Sequence, residues 1–474
     1  MTFFFLLALG FTASQAQADT VYSHEKKQFP CIDTLLKEKG QSQDAFFYTN
    51  ILPFDLGKTV RRSDPSPYHI HQWAMWTKKQ SSLSTEQVNA IFTQKNFFLG
   101  ENLRPIDLGA FRHNANFDAR QSLGRAGILL HHVSLKKVPT TSCAFQSSLI
   151  PGEGYPFDQF IASVQYAGTP VWISHASKDG LFVYVECADR SGGFVPSHSV
   201  AVVTPKEQAR LKKMRARLFV WTKDNVPIVC PSGVWQPSRI GMPAWVVKNE
   251  GNRATILCPT GKTKNGIVWE KATVSPRYLS LYSTWDETTL GPLCQQLVSD
   301  IYAWGGSING RDCSLLVRDY CAAAFNQLVP RNSMAQMQSP CFNTIDLTGL
   351  SWSEKKKKIM AHGVPFQSFV YLPGHIVLYV GTHGTEPVFL QNVWAYKTCA
   401  DTPDEGRIVT GKAFFSDWNT LGFDKNLQDR TSCLMTLKKV EWWSDKPDQY
   451  TLSSGTRSPR ETLPANHYLR KILR

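Results

Sequence analysis

Between residues 151 and 270 the chain reverses direction every few residues. Short alternating runs at 169–174, 181–186 and 193–195 are separated by turn formers such as Lys178-Asp179-Gly180. After a basic link over 206–217 the pattern returns at 217–221, 226–230, 242–247, 254–258 and 266–269, with Gly233, Gly241, Gly251 and Gly261 between runs. Strands this short bury one face each and cannot cover a core alone, so they must close on one another. Two small β-barrels are the expected result, the first over 149–204 and the second over 205–278.

The remaining chain has a different period. With 474 residues, and about 150 residues per domain as a prior, there is room for about three domains. Upstream, 19–148 mixes short helical patterns with irregular chain. Ser84-Thr85-Glu86-Gln87 ahead of Val88, Ile91 and Phe92 has the form of a capped helix start. His69, His71, His131 and His132 lack acidic or cysteine partners at ligand spacing, so they read as structural and no metal is expected. From 279 to 440 the pattern is α+β. Leu293, Leu297 and Ile301 lie four apart on one helix face, and Leu316, Val317, Tyr320, Ala323 and Ala324 repeat at three and four after Cys313. Residues 376–380 and 388–390 read as adjacent strands across the turn Thr382-His383-Gly384-Thr385. Within this region, Lys355 to Lys358 read as a solvated face and His362 and His383 as surface residues. Residues 441–474, rich in Ser, Thr, Pro and Arg, read as an extended tail.

The N-terminus directs the chain out of the cytoplasm. The apolar run 3–11 is too short to span a membrane and leads to Ala16-Gln17-Ala18, the form of a cleaved signal peptide over 1–18, although no Lys or Arg precedes it. No later stretch is long enough for a membrane helix, so a periplasmic or secreted protein is expected. The chain carries 52 Lys and Arg against 38 Asp and Glu, a formal charge of +14. In an exported protein that charge points to acidic envelope polymers rather than nucleic acid. The 11 cysteines include no C-x-x-C pair. Either ten pair in an oxidising compartment and one works, or several are buried and unpaired.

One cysteine stands where it can react. Cys313 occupies the first turn of a helix, where free N-H groups and the helix dipole favour thiolate. A cysteine nucleophile needs a base, and the base needs a group to fix its tautomer. His375, at the start of the apolar strand Leu372 to Gly381, is the candidate base. Gln391, on the next strand, has a side-chain oxygen able to accept from the far ring nitrogen.

Three motifs in this order resemble the NlpC/p60 family of papain-like cysteine peptidases. They are Tyr302-Ala303-Trp304-Gly305-Gly306 with Asp312-Cys313-Ser314, then Val329-Pro330-Arg331-Asn332-Ser333 with Gln336, then the strand carrying His375. The resemblance covers about 280–435. It extends more loosely upstream to a subfamily with an N-terminal stabilising segment and two bacterial SH3-like barrels, matching the divisions above. It implies a papain-like catalytic domain and no cofactor. It further implies cleavage of the γ-D-glutamyl–meso-diaminopimelate bond of peptidoglycan stem peptides by Cys313, His375 and Gln391, with Tyr302 assisting at the oxyanion. Asp312, Ser314 and Ser333 match positions that contact the free N-terminal amine or the D-glutamate, which implies free muropeptides as substrates and a monomeric enzyme.

The sequence departs from the pattern in two places. Gln391 stands where the subfamily usually has histidine; its carbonyl can orient imidazole but cannot carry a proton. Phe182 and Gly193-Phe194-Val195 stand where tryptophan is common in the first barrel, and both keep an aromatic lining. A non-catalytic wall-binding protein with an inactivated triad is the alternative, and an acyltransferase using the same triad on lipids is a third.

Overall fold

The computed structural model describes residues 66–92, 98–150, 152–264, 266–280, 287–298, 300–398, 405–421 and 425–438. The expected leader and tail, together with Cys31 and Cys399, lie outside these residues. The helix Thr85–Phe92 starts as its sequence indicates: Ser84 Oγ accepts from Gln87 N at 3.2 Å, and Ser84 N donates to Gln87 Oε1 at 2.8 Å. The preceding helix, Ser66–Ala74, leads into Trp76, whose Nε1 donates to Gly127 O at 2.7 Å and whose ring stacks on Trp245 at 5.2 Å. The N-terminal segment is thereby pinned to both β units that follow.

The first β unit is a seven-stranded sheet in the order β3-β2-β6-β5-β4-β1-β7. Its strands are β1 Arg125–Leu129, β2 Val133–Lys136, β3 Ile161–Gln165, β4 Pro170–Ala176, β5 Phe182–Cys187, β6 Gly192–Pro196 and β7 Val200–Val202. Strands β1 and β2 lie ahead of residue 149, where the sequence reading starts this unit. His131 and His132 interrupt the alternation between them, and β1 becomes a strand by pairing with β4 and β7, partners distant in sequence.

The second unit pairs β8 Arg217–Val220, β11 Pro243–Glu250, β12 Arg253–Thr263 and β13 Gly266–Val274 in one sheet. A ribbon of β9 Pro227–Cys230 and β10 Gly233–Pro237 accompanies it. Its core holds Phe219, Trp221, Ile228, Met242 and Ile256. Gly241 has φ +88°, and a Cβ there would lie 2.5 Å from Asp319 Oδ1, so only glycine permits this approach to the third unit.

The third unit is a six-stranded antiparallel sheet in the order β14-β19-β15-β16-β17-β18. Its strands are β14 Phe342–Asp346, β15 Ser368–Leu372, β16 His375–His383, β17 Glu386–Thr398, β18 Gly406–Asp417 and β19 Cys433–Leu437. The helix Cys313–Phe325 is buried along its whole length. Leu316, Val317 and Tyr320 share a core with Ile376, Leu378 and Leu390 of the sheet. Leu293 and Leu297 are buried as expected, but the helix Glu287–Leu297 stops short of Ile301, which is 61% exposed. There the chain leaves helical phase to bridge Lys412 and to bond Gly411 through Tyr302 N.

A buried ionic network ties the three units together. Arg311 donates to Asp319, to Asp300 and to Asp224 of the second unit at 2.8–2.9 Å. Arg318 bonds Asp319 and, at 2.9 Å, Asp189 of the first unit, whose Tyr166 hydroxyl also reaches Asp319. The cysteines among the described residues are all free thiols, and all but Cys143 are buried. Eight of them lie in apolar cores as small hydrophobes, and Cys230 and Cys258 of the second unit face each other there.

Candidate active site

Asp312 caps the helix of Cys313, its Oδ1 accepting from Leu315 N at 2.8 Å. Cys313 is the first helical residue and is buried. The backbone N-H groups of Ser314 and of Ile376, the residue after His375, face its sulfur and favour its ionised form. Helix start and strand start therefore meet at the sulfur, which brings Cys313 and His375 into one site.

His375 opens β16 after Gly374, whose φ of +87° makes the turn from β15. Its Nε2 lies 3.1 Å from Gln391 Oε1 on β17. Gln391 Nε2 donates to Tyr396 Oη at 2.8 Å and Ser416 Oγ at 2.6 Å. Its two amide protons thus point at hydroxyls and its carbonyl at the imidazole. Nε2 then carries the ring proton and Nδ1 is left as the acceptor.

Tyr396 and Ser416 escaped the sequence reading. Tyr396 is five residues from Gln391, which would put it on the opposite face of a regular strand. A register shift between Val393 and Ala395 brings both residues to one side.

Burial decides the charge state. It pushes the Cys313 thiol up to about 12, and Asp312 adds to the rise. The Ile376 and Ser314 N-H groups and Arg331 act in the opposite direction without overcoming it. Burial also lowers His375 to about 4, against the contrary pull of Gln391. The helix start alone points to thiolate, but loss of water outweighs the dipole, so the resting pair is thiol and neutral imidazole.

The same physics makes the fold acid-sensitive. Burial holds His175 at about 4 as well, where 6.5 is usual. Both histidines stay neutral when folded and gain a proton on unfolding below pH 6.5. Their stabilisation is therefore full above pH 6.5 and is lost as the pH falls towards 4. Each depression accounts for about 3 kcal/mol. The thermal midpoint should fall steeply across this window and less steeply in a His175→Gln variant; a flat profile would contradict the burial argument.

Tyr302 is half-buried, with its ring against Trp394 at 6.2 Å. Asp312, Ser314 and Ser333 are all buried, and the first two converge on Arg331, which the sequence reading left without a role. Arg331 donates to Asp312 Oδ2 at 2.6 Å, Ser314 Oγ at 2.7 Å and Ser163 Oγ of β3 at 2.9 Å. Asn392 donates to Arg311 O at 2.9 Å, steadying the chain ahead of Cys313. Phe157 of the first unit stands edge-on to Trp304 and Trp394 at 5.9 and 5.3 Å, so that unit packs against the third beside Tyr302. Among the described residues no cluster of His, Cys, Asp or Glu is arranged to hold a metal ion, and no helix is long and apolar enough to cross a membrane.

Comparison with known proteins agrees with this geometry. Residues 144–196 match the SH3 domain family of the SH3b1 type. No curated protein matches the chain. Among solved structures, an NlpC/P60 endopeptidase from Photobacterium damselae subsp. piscicida is 20% identical, covering 84% of this chain and 97% of its own, with a TM-score of 0.68. An NlpC/P60 family protein from Bacillus cereus is 12% identical over 65% of this chain and 98% of its own, with a TM-score of 0.43. The chain thus carries an SH3 domain of the SH3b1 type and has the fold of an NlpC/P60 endopeptidase.

Proposed function

We propose that this chain is an exported cysteine endopeptidase of peptidoglycan that cleaves the γ-D-glutamyl–meso-diaminopimelate bond of stem peptides. The observation that carries the reading is the bond between His375 and Gln391, which fixes the imidazole tautomer a thiol nucleophile requires. A non-catalytic wall binder would have no use for it. His375 Nδ1 takes the thiol proton as Cys313 attacks the γ-carbonyl, because neither group is ionised beforehand. The proton then passes to the leaving amine, and water hydrolyses the thioester. The Cys313 N-H and the Tyr302 hydroxyl are the proposed oxyanion donors, each worth about 3 kcal/mol in the barrier.

Asp312, Ser314 and Ser333 are proposed to line the acyl side and to select muropeptides with a free N-terminal L-alanine. The wall that Arg331 builds with Ser163 of the first unit supports this role. The leader-like start, the +14 charge and the SH3-type domain support action in the periplasm or outside the cell.

Purified protein and its Cys313→Ala variant should be incubated with L-Ala-γ-D-Glu-meso-diaminopimelate. Wild type should release diaminopimelate, and release no greater than the variant's would overturn the reading. Faster turnover of free muropeptide than of intact sacculus is the expected preference.

A further inference from the structure

Two cysteines of the second β unit come from strands far apart in sequence and end in one place. Cys258 lies midway along β12, and its partner across the ladder on β13 is Glu270. Glu270 Oε2 accepts from Ser232 N at 2.9 Å, and its Oε1 accepts from Thr260 Oγ1 at 3.1 Å. Ser232 is two residues beyond Cys230, so the carboxylate draws the end of β9 over Cys258. Both cysteines are buried in the same apolar core, where their thiols face each other.

The strands that meet here share no backbone ladder. β9 and β10 form a ribbon of their own, separate from the sheet that holds β12. The ribbon also carries contacts to the first unit: Trp235 Nε1 donates to Leu130 O at 3.1 Å, and Pro237 O lies 2.9 Å from His132 Nε2. Side chains, Glu270 among them, thus hold to its own sheet a piece of chain that helps to dock two units together.

We propose that Cys230 and Cys258 form a disulfide that fastens this ribbon to the sheet. The oxidising environment it requires is that of the exported location proposed above. The oxidant is itself a disulfide, carried by a small thiol or by an oxidoreductase. Cys230 as thiolate attacks one of its sulfurs and expels the other as a thiolate, leaving a mixed disulfide. Cys258 then gives up its proton, attacks Cys230 Sγ and expels the second thiolate. The chain loses two electrons and two protons, and the oxidant takes them up as two thiols. Exposure sets the order: residues 231–234 are exposed, so Cys230 stands at the mouth of the core, whereas Cys258 is 0% exposed. Burial raises both thiols, so the link forms fastest while the ribbon is still open during folding.

The test refolds the whole chain from urea in a buffer of oxidised and reduced glutathione, blocks the remaining thiols with iodoacetamide and digests with trypsin. Arg239, Lys248 and Arg253 lie between the two cysteines, so 224–239 and 254–262 separate unless a disulfide joins them. Mass spectrometry should find the two peptides linked, and prior treatment with dithiothreitol should part them. The thermal midpoint of the oxidised chain should lie several degrees above that of the reduced chain, and the difference should shrink in Cys258→Ala. Cys230 and Cys258 recovered alkylated in separate peptides, or joined to other cysteines, would overturn the proposal, and that mapping needs no variant. A link that forms on refolding but is missing from protein isolated from cells without reductant would count against the exported location and leave the pair in place.

Discussion

Arg311→Met is expected to lower the unfolding free energy by about 3–5 kcal/mol, measured as a lower urea midpoint. Arg311 is 0% exposed and serves three carboxylates at once. Burial alone pushes Asp224 up, but Arg311 overrides it and holds the carboxyl below its usual range. At Asp300 the balance tips the other way, with burial outweighing Arg311 and leaving the group raised. Removing the cation takes a partner from each of Asp224, Asp300 and Asp319, leaving Asp224 with Arg239 and Asp319 with Arg318, and makes buried charge in the cluster more costly. The deficit of the variant should therefore shrink as the pH falls, because folding then requires less buried charge. Arg311→Lys keeps the charge but not the fork geometry, and should lie between the two. Asp224 belongs to the second β unit, so the variant should also let that unit unfold separately. An Arg311→Met protein as stable as wild type at neutral pH would show that the network does not hold the units together.

What could be read from the sequence was local. Cys313 follows a capping aspartate and a glycine loop, signals that survive without knowledge of the fold. His375 is conspicuous because a titratable residue opens an otherwise apolar strand, and Gln391 on the neighbouring β17 lies 3.1 Å from its Nε2. The strands of both small β units were visible wherever alternation and glycine turns coincided. What could not be read depends on tertiary placement. Arg331 acquires its partners only when β3 docks on the catalytic unit, and Tyr396 reaches Gln391 only through a bulge that no residue type announces. Lys355, buried with its Nζ donating to Gln428 O at 2.8 Å, differs from the exposed Lys357 and Lys358 only in which side of its helix meets the 428–430 turn. Burial of the Cys313 sulfur, which opposes the pull of the helix start, is a property of the assembled fold and has no local signal. The exposure of Ile301 has the same origin, since its bridge to Lys412 draws it away from the helix that its spacing suggests.

Gln391→Leu is expected to lower kcat/KM by roughly a hundredfold while leaving the fold intact, because the imidazole loses the group that fixes its tautomer. Cys313 and His375 remain in place, but Nε2 is no longer the committed proton carrier, and Nδ1 is free to the thiol in only part of the population. Gln391→Glu makes the complementary test. Tyr396 and Ser416 present hydroxyls, which can turn and donate to a carboxylate, so the partner network survives the change. An anion at 391 stabilises imidazolium and must raise His375 from about 4. In wild type the acid limb of the kcat/KM profile should fall near pH 4, where protonation removes the base. In the glutamate variant that limb should move upwards, towards the pH at which an ordinary histidine titrates. Undiminished activity in Gln391→Leu, or an acid limb that stays in place in Gln391→Glu, would mean that Gln391 is packing beside the histidine rather than positioning it.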